Sequence, residues 1–509
     1  MEVECKDWKH QGTYLRHIMV AFSAVAFVLQ LWAYFPVVYD DAYISFRYAY
    51  NLVNSGVWNW NADRDYVEAY TNFSFAPLAI VPTALGHDPL VFLKLVSVAS
   101  VVVVVWLVLT EVTSSLLFCV ALLLTAFNPY LYINALSGLE TAAFMCLIFG
   151  AARFLLKDGS GGKREIGFLV ILLLLPLTRP EGALYSAVAI MLHFLRSGGQ
   201  IQYRKVLFAI LTLGCAYMAW RISLFGEILP NTFYVKAVKG FELRNVVFFV
   251  LSIRMYLVTI VLLNLVVQNR IYVVFSAVSV ALALVVYSPS DLNTTMADRF
   301  PLPIFLPLFL LALPLVRGSH RIATASVLLL FWAGLFSDYF QFIRFSPQAQ
   351  FYKQLGKELS RFSEKKYSLL IGEAGIIPYF SRWKSYDFIG LANNEVSHEP
   401  LSSGYLARIS PDLIFLYSST LREEGISRGF YDQGKIVDYM KETERYEFVG
   451  PFNACGFYLM VYLRSSGDDR GKLRQVLEDN IRRTNSYGAF SVRNKRMLWD
   501  WFSFRFARI

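Results

Sequence analysis

The stretch YLRHIMVAFSAVAFVLQLWAYFPVVYDDAY, residues 14–43, decides how this chain is read. Its apolar part, 14 to 35, is long enough to cross the roughly 30 Å hydrocarbon core of a bilayer. The run then closes on two adjacent carboxylates, Asp40 and Asp41. Charge at a membrane edge is costly, so an acidic pair there is by default a functional-site hypothesis. The run is too long for a secretory leader and has no small-residue cleavage site, so it is expected to be retained.

The same apolar character extends outward over most of the 509 residues, which are 56% hydrophobic and only 17% charged. A soluble globular protein carries less apolar and more charged sequence, so the chain reads as a polytopic membrane protein. About eleven stretches qualify as spanning helices. They run near 14–35, 89–110, 114–130, 141–156, 164–178, 182–196, 204–225, 245–267, 270–287, 299–316 and 320–337. The net charge of +10 does not point to nucleic acid, because the cations sit in loops on one side of the membrane. Lys6, Lys9 and Arg16, Lys157, Lys163 and Arg164, Arg196, Arg204 and Lys205, Arg270, and Arg317 with Arg321 all fall on that side if there are eleven spans. The positive-inside rule makes it the cytoplasm, with the N-terminus inside and the C-terminus outside. Five cysteines (Cys5, Cys119, Cys146, Cys215, Cys455) form neither a disulfide framework nor a metal knuckle.

Two regions depart from the spanning pattern. The segment 36–88 begins with the acidic pair and continues as a helix in which Ile44, Tyr48 and Leu52 recur every fourth residue up to Asn54-Ser55-Gly56. Asp41 is placed to cap a helix starting at Ala42. The apolar patch Phe73–Leu85, interrupted by Pro77 and Pro82, suits a re-entrant or interfacial segment. From about 338 charges become frequent, and four β-rich runs, 367–371, 412–417, 446–449 and 457–463, alternate with helical stretches. That predicts a second, α/β domain (338–509) on the outer face, following a transmembrane domain (1–337). Its last forty residues hold ten Lys or Arg against three acids, with Trp499, Trp501 and Phe502 among them, a mixture suited to an anionic membrane surface.

Polar clusters interrupt the apolar sequence almost only at outer helix ends: 39–43, 68–72, 128–130 with 138–141, 179–182, 229–236 and 298–300. An active site at the outer interface requires this asymmetry. An ionised Asp40 or Asp41 can serve as general base toward an acceptor hydroxyl. Arg179, Lys236 and Arg299 are the cations expected around a phosphate leaving group, whose charge grows in the transition state.

In order along the chain, Tyr39-Asp40-Asp41-Ala42-Tyr43-Ile44-Ser45-Phe46-Arg47-Tyr48-Ala49, Val67-Glu68-Ala69-Tyr70-Thr71, Ser137-Gly138-Leu139-Glu140-Thr141, Thr178-Arg179-Pro180-Glu181-Gly182, Leu229-Pro230-Asn231-Thr232-Phe233-Tyr234 and Asp298-Arg299-Phe300 resemble the motifs of C-type membrane glycosyltransferases (GT-C). They are most similar to the terminal β-arabinofuranosyltransferases of bacterial cell walls, and the resemblance extends into Gly372-Glu373-Ala374-Gly375 and 387–391. Ala69 departs from the glycine of that family's second motif. The resemblance implies transfer of a sugar from a polyprenyl-phosphate donor to a hydroxyl of a glycan, glycolipid or protein at the outer face of a bacterial plasma membrane. Its catalytic candidates are Asp40 and Asp41. Its substrate-binding candidates are Tyr43, Arg47, Glu68, Tyr70, Thr71, Glu140, Arg179, Glu181, Asn231, Tyr234, Lys236 and Arg299. No metal ligand and no cofactor is assigned, and a divalent cation is left open. A transporter would show repeat symmetry and midplane polar residues, neither of which the sequence contains. A non-catalytic envelope assembly protein would explain the outer domain but not the acidic pair.

Overall fold

The computed structural model describes residues 2–157, 162–196, 204–237, 243–287, 298–336, 346–454, 457–467 and 469–486. The chain is mostly helical. Four helices are long and apolar enough to cross a membrane: Arg16–Tyr34, Pro89–Glu111, Leu207–Phe225 and Arg270–Tyr287. Two bent pairs raise this to six when each is taken as one span, Ser115–Ala126 with Pro129–Leu136 at 45° and Asn245–Ser252 with Arg254–Val266 at 62°.

The expected straight crossings at 114–130 and 245–267 are therefore broken. At the first, Pro129 opens a new helix at its N1 position and cannot continue the old one. At the second, Ile253 leaves the helical region and Arg254 starts the next helix. Arg254 thus sits at a kink, where its guanidinium donates to the Leu251 carbonyl at 2.6 Å. Other expected spans form short helices. Thr141–Leu156 has 16 residues, a rise of about 24 Å, below the hydrocarbon thickness. Leu302–Ala312 is buried at every position, so it packs inside the bundle and faces no solvent or lipid.

The segment after the first helix folds as a helix over Asp40–Ser55, one turn earlier than its apolar pattern begins. Both acids lie in its first turn, where the helix dipole favours negative charge, and Gly56 in the left-handed region (φ 68°) ends it. Its N-cap is Tyr39, without a side-chain cap bond, so Asp41 does not cap it. The patch around Pro77 and Pro82 forms only short turns, Pro77–Ala79 and Ile80–Ala84.

Beyond residue 346 the chain builds a five-stranded sheet from β1 (Ser368–Ile371), β2 (Lys384–Asp387), β3 (Leu413–Ser418), β4 (Tyr446–Asn453) and β5 (Tyr458–Arg464), in the order β2-β1-β3-β5-β4. Strand β1 runs parallel to β2 and β3, whereas β5 is antiparallel to β3 and β4. One apolar core joins the sheet to the loop helix: Ala42, Tyr43, Phe46 and Ala49 pack with Ile371, Ile377, Phe415 and Val461. The acidic pair is consequently held between two bodies, the helices on one side and the sheet on the other.

Candidate active site

The two acids at the start of the loop helix turn to different partners. Asp40 gives both carboxylate oxygens to backbone amides of the sheet-bearing region, accepting from Gly375 and Ile376 at 2.7 Å each. A side chain at Gly375 would fall on the Asp40 carbonyl, so only glycine permits this approach. Asp41 faces the helices and accepts from the Arg299 guanidinium at 2.9 Å. Its side chain keeps 37% of its exposure, the Arg299 side chain 13%.

From Arg299 a chain of polar contacts runs back to the same helix. The Arg299 carbonyl accepts from Arg179, whose Nε pairs with Glu140 at 2.8 Å and whose Nη2 donates to Thr141 at 3.2 Å. Glu140 also accepts from Asn72 at 2.9 Å, and Asn72 in turn accepts from Ser45 at 2.7 Å. Ser45 lies four residues after Asp41, on the same helix face. Glu181 approaches Arg179 at 3.6 Å and accepts from the Tyr287 hydroxyl. Burial alone would raise the Glu140 carboxyl, but Arg179 and Arg299 outweigh it and hold it below the ordinary carboxylate range. The motif that carries Glu140 is fixed locally by Gly138 at φ 87°, where a Cβ would meet Leu90 at 2.8 Å and Ala42 at 3.0 Å.

The structure thus brings Asp41, Arg299, Arg179, Glu140 and Glu181 together. Arg179 is 3% exposed and already committed to carboxylates, so it holds the cluster and offers no free edge. Arg299 is the more accessible of the two arginines. The side chain of Lys236, the third expected cation, lies outside the described residues.

The remaining candidates hold the loop in shape. Tyr43 donates to Asp88 at 3.0 Å, and Lys353 reaches the same carboxylate at 2.6 Å. Arg47 is buried and donates to the carbonyls of Trp60, Pro378 and Trp383 and to Asn61. Glu68 is buried against Arg221 at 2.6 Å, while its carbonyl accepts from the Asn231 amide at 3.1 Å. Tyr70 accepts from the Trp58 indole at 2.8 Å, and Asn231 donates to Asn394 at 2.9 Å. Tyr234 donates to Glu227 and its ring lies tilted against His398, with ring centroids 4.4 Å apart. Thr71 is half-buried in the same loop.

Three groups outside the expected set belong to the surroundings of the pair. Asn72 bridges the loop helix and Glu140, and its place in the 68–72 cluster is its only sequence signal. Arg221 lies in an apolar span, where any charge asks for a partner. Glu373 neighbours Asp40. Burial, then Asp40 and Asp41, push its carboxyl well above the ordinary range. Burial also pushes Asp40 up, more than the Ile376 and Gly375 amides pull it down. Asp387, buried behind them, is pushed up to about 6 against the amides of Ala392 and Ile389. Among the described residues no group of three or more His, Cys, Asp or Glu is arranged to hold a metal ion.

Residues 341–470, which contain all five strands of the sheet and its contact with Asp40, match a family model described as a domain of unknown function, DUF8728. No curated protein and no solved structure matches the chain.

Proposed function

We propose that this chain is a C-type membrane glycosyltransferase with Asp41 as general base. It would take a sugar, arabinofuranose or a similar one, from a polyprenyl-phosphate donor and pass it, with inversion, to a hydroxyl of an envelope glycan, glycolipid or protein. The eleven-span topology belongs to this reading: N-terminus in the cytoplasm, residues 36–88 and the 338–509 domain outside the plasma membrane of a bacterium. The observation that supports it most is the division of labour in the acidic pair. Asp40 has both oxygens occupied by backbone amides, whereas Asp41 remains partly exposed beside a guanidinium.

In the proposed step the acceptor O–H gives its proton to Asp41 as the acceptor oxygen bonds to the anomeric carbon. The bond from that carbon to the carrier phosphate breaks, and its electron pair leaves with the phosphate. Arg299 lies at the edge where that charge grows, and fixed cations in such a position lower the barrier. Arg179, saturated by Glu140 and Glu181, keeps the Arg299 backbone in place.

Purified protein assayed against a panel of polyprenyl-phospho-sugars, with mass analysis of products, tests the reading. Asp41→Asn keeps shape and removes proton affinity, so turnover should fall by about 10²- to 10⁴-fold with folding intact. Near wild-type turnover in that variant would remove Asp41 from the mechanism. Arg299→Lys should also be impaired, in donor affinity more than acceptor affinity, because lysine cannot copy a bidentate phosphate contact. The topology is tested separately with single cysteines at Ser290 and Ser197, of which an impermeant reagent should reach only the first from outside.

A further inference from the structure

A cavity lies along the C-terminal half of the loop helix, beginning at Arg47, about 9 Å along the helix axis from Asp41. It encloses about 360 Å³ between the last two turns of that helix, residues 61–63, and residues 378–384. That size suits a small organic molecule better than a single ion.

The lining is unbalanced in charge. Arg47, Arg382 and Lys384 face it, with Asp63 as the only acid among the lining residues. Asp63 is already paired with Lys384 at 3.0 Å. Arg47 has four acceptors, all uncharged: three backbone carbonyls and the Asn61 amide. The Arg382 guanidinium lies over the Tyr50 ring, 3.2 Å from its centroid, and 4.3 Å from that of Tyr379. Its Nη1 is buried and has no hydrogen-bond partner among the described residues. Arg382 therefore brings an open guanidinium donor to a wall whose only carboxylate, Asp63, is paired with Lys384, an arrangement that leaves a place for an anion.

Arg382 caps the helix Ile376–Ser381 at φ 63°, in the left-handed region. Around Arg382, Asn54 and Ser55 are exposed; the Asn54 amide nitrogen donates to the Tyr50 carbonyl at 2.8 Å, and its oxygen and the Ser55 hydroxyl suit a hydroxyl-rich ligand.

We propose that this cavity is a binding site for a sugar residue bearing one oxyanion, a carboxylate or a phosphate, distinct from the acidic pair. The oxyanion meets Arg382 with Arg47 behind it, and the sugar hydroxyls meet Asn54 and Ser55. The site stands whether or not the chain transfers sugars.

Isothermal titration of the full chain in nanodiscs tests it with four probes: glucuronate, glucose 1-phosphate, glucose and inorganic phosphate. The two anionic sugars should bind saturably, and each should bind at least tenfold more tightly than glucose or inorganic phosphate. Arg382→Gln should weaken both at least tenfold. Lys384→Gln, which removes one lining cation without placing a second carboxylate beside Asp63, should weaken them several-fold. Binding of neither anionic sugar would overturn the proposal. So would glucose bound as tightly as glucose 1-phosphate, or affinities unchanged in both variants.

Discussion

Asp40 and Asp41 are consecutive residues in one helical turn, yet they belong to two regions that handle buried charge in opposite ways. On the helical side the acids nearest the site pair with cations: Asp41 with Arg299, Glu140 with Arg179, and Glu68 with Arg221. On the sheet side Asp40 and Asp387 rest on backbone amides, and Glu373 stands beside them with no cation among the influences on its proton. Guanidiniums lower a carboxyl and keep it charged, whereas burial among other acids raises it and favours the proton. The surroundings of Asp41 are thus built to hold fixed charge and those of Asp40 to avoid it, although farther along the sheet Asp412 pairs with Arg464.

The largest effect should come from breaking the paired side. Arg179→Met leaves Glu140, which is 2% exposed, without its main partner, and removing one half of a buried ion pair typically costs about 3–5 kcal/mol. The thermal midpoint of the purified protein should fall accordingly. Replacing both partners, Arg179→Met with Glu140→Leu, should recover part of that loss, because Glu140 is then no longer stranded, while Glu181 still loses its contact with Arg179. A double variant as unstable as the single one would mean that the helical side depends on the shape of these two side chains and not on their pairing.

A smaller effect is expected where the two regions join. Gly375→Ala places a methyl group on the Asp40 carbonyl, and such overpacking typically costs about 1–3 kcal/mol. Since the loop helix and the sheet share this contact, limited proteolysis should begin near residue 375 in the variant and not in the wild type. An unchanged digestion pattern would show that their apolar core alone holds the two regions together.

Much of this division was legible in the sequence and some of it was not. The loop helix showed itself by its fourth-residue pattern and its Gly56 stop, and the four apolar strands by their β-rich runs. Strand β2 carries only Lys384-Ser385-Tyr386-Asp387, too short and polar to display an alternating pattern. The helix began at Asp40, a turn before its apolar residues, because the dipole rather than hydrophobicity places its start. The contact that separates the roles of the two acids joins Asp40 to residues 335 and 336 positions later, and local periodicity carries no trace of such a pairing. The break at Pro129 follows from proline chemistry, whereas the break at Ile253 has no comparable signal.

The smallest effect should come from Glu373, and it sharpens the comparison through pH. In the folded protein its carboxyl is raised well above the ordinary value, chiefly by burial and then by Asp40 and Asp41. The folded chain therefore binds this proton at a pH where the unfolded chain, with a value of about 4.3, has already lost it. Stability from this group is complete below that value and declines as pH rises through the folded one. Glu373→Gln mimics the protonated form, so its cost at low pH should be small, below about 1 kcal/mol, as for an exchange that keeps shape and hydrogen bonding. As pH rises the wild type should lose stability relative to the variant, and the difference between their unfolding midpoints, followed from pH 5 to 8, should shrink or reverse sign. A gap that widens with pH would mean that Glu373 is held as a carboxylate, and the sheet side would then contain a cation that the present contacts do not include.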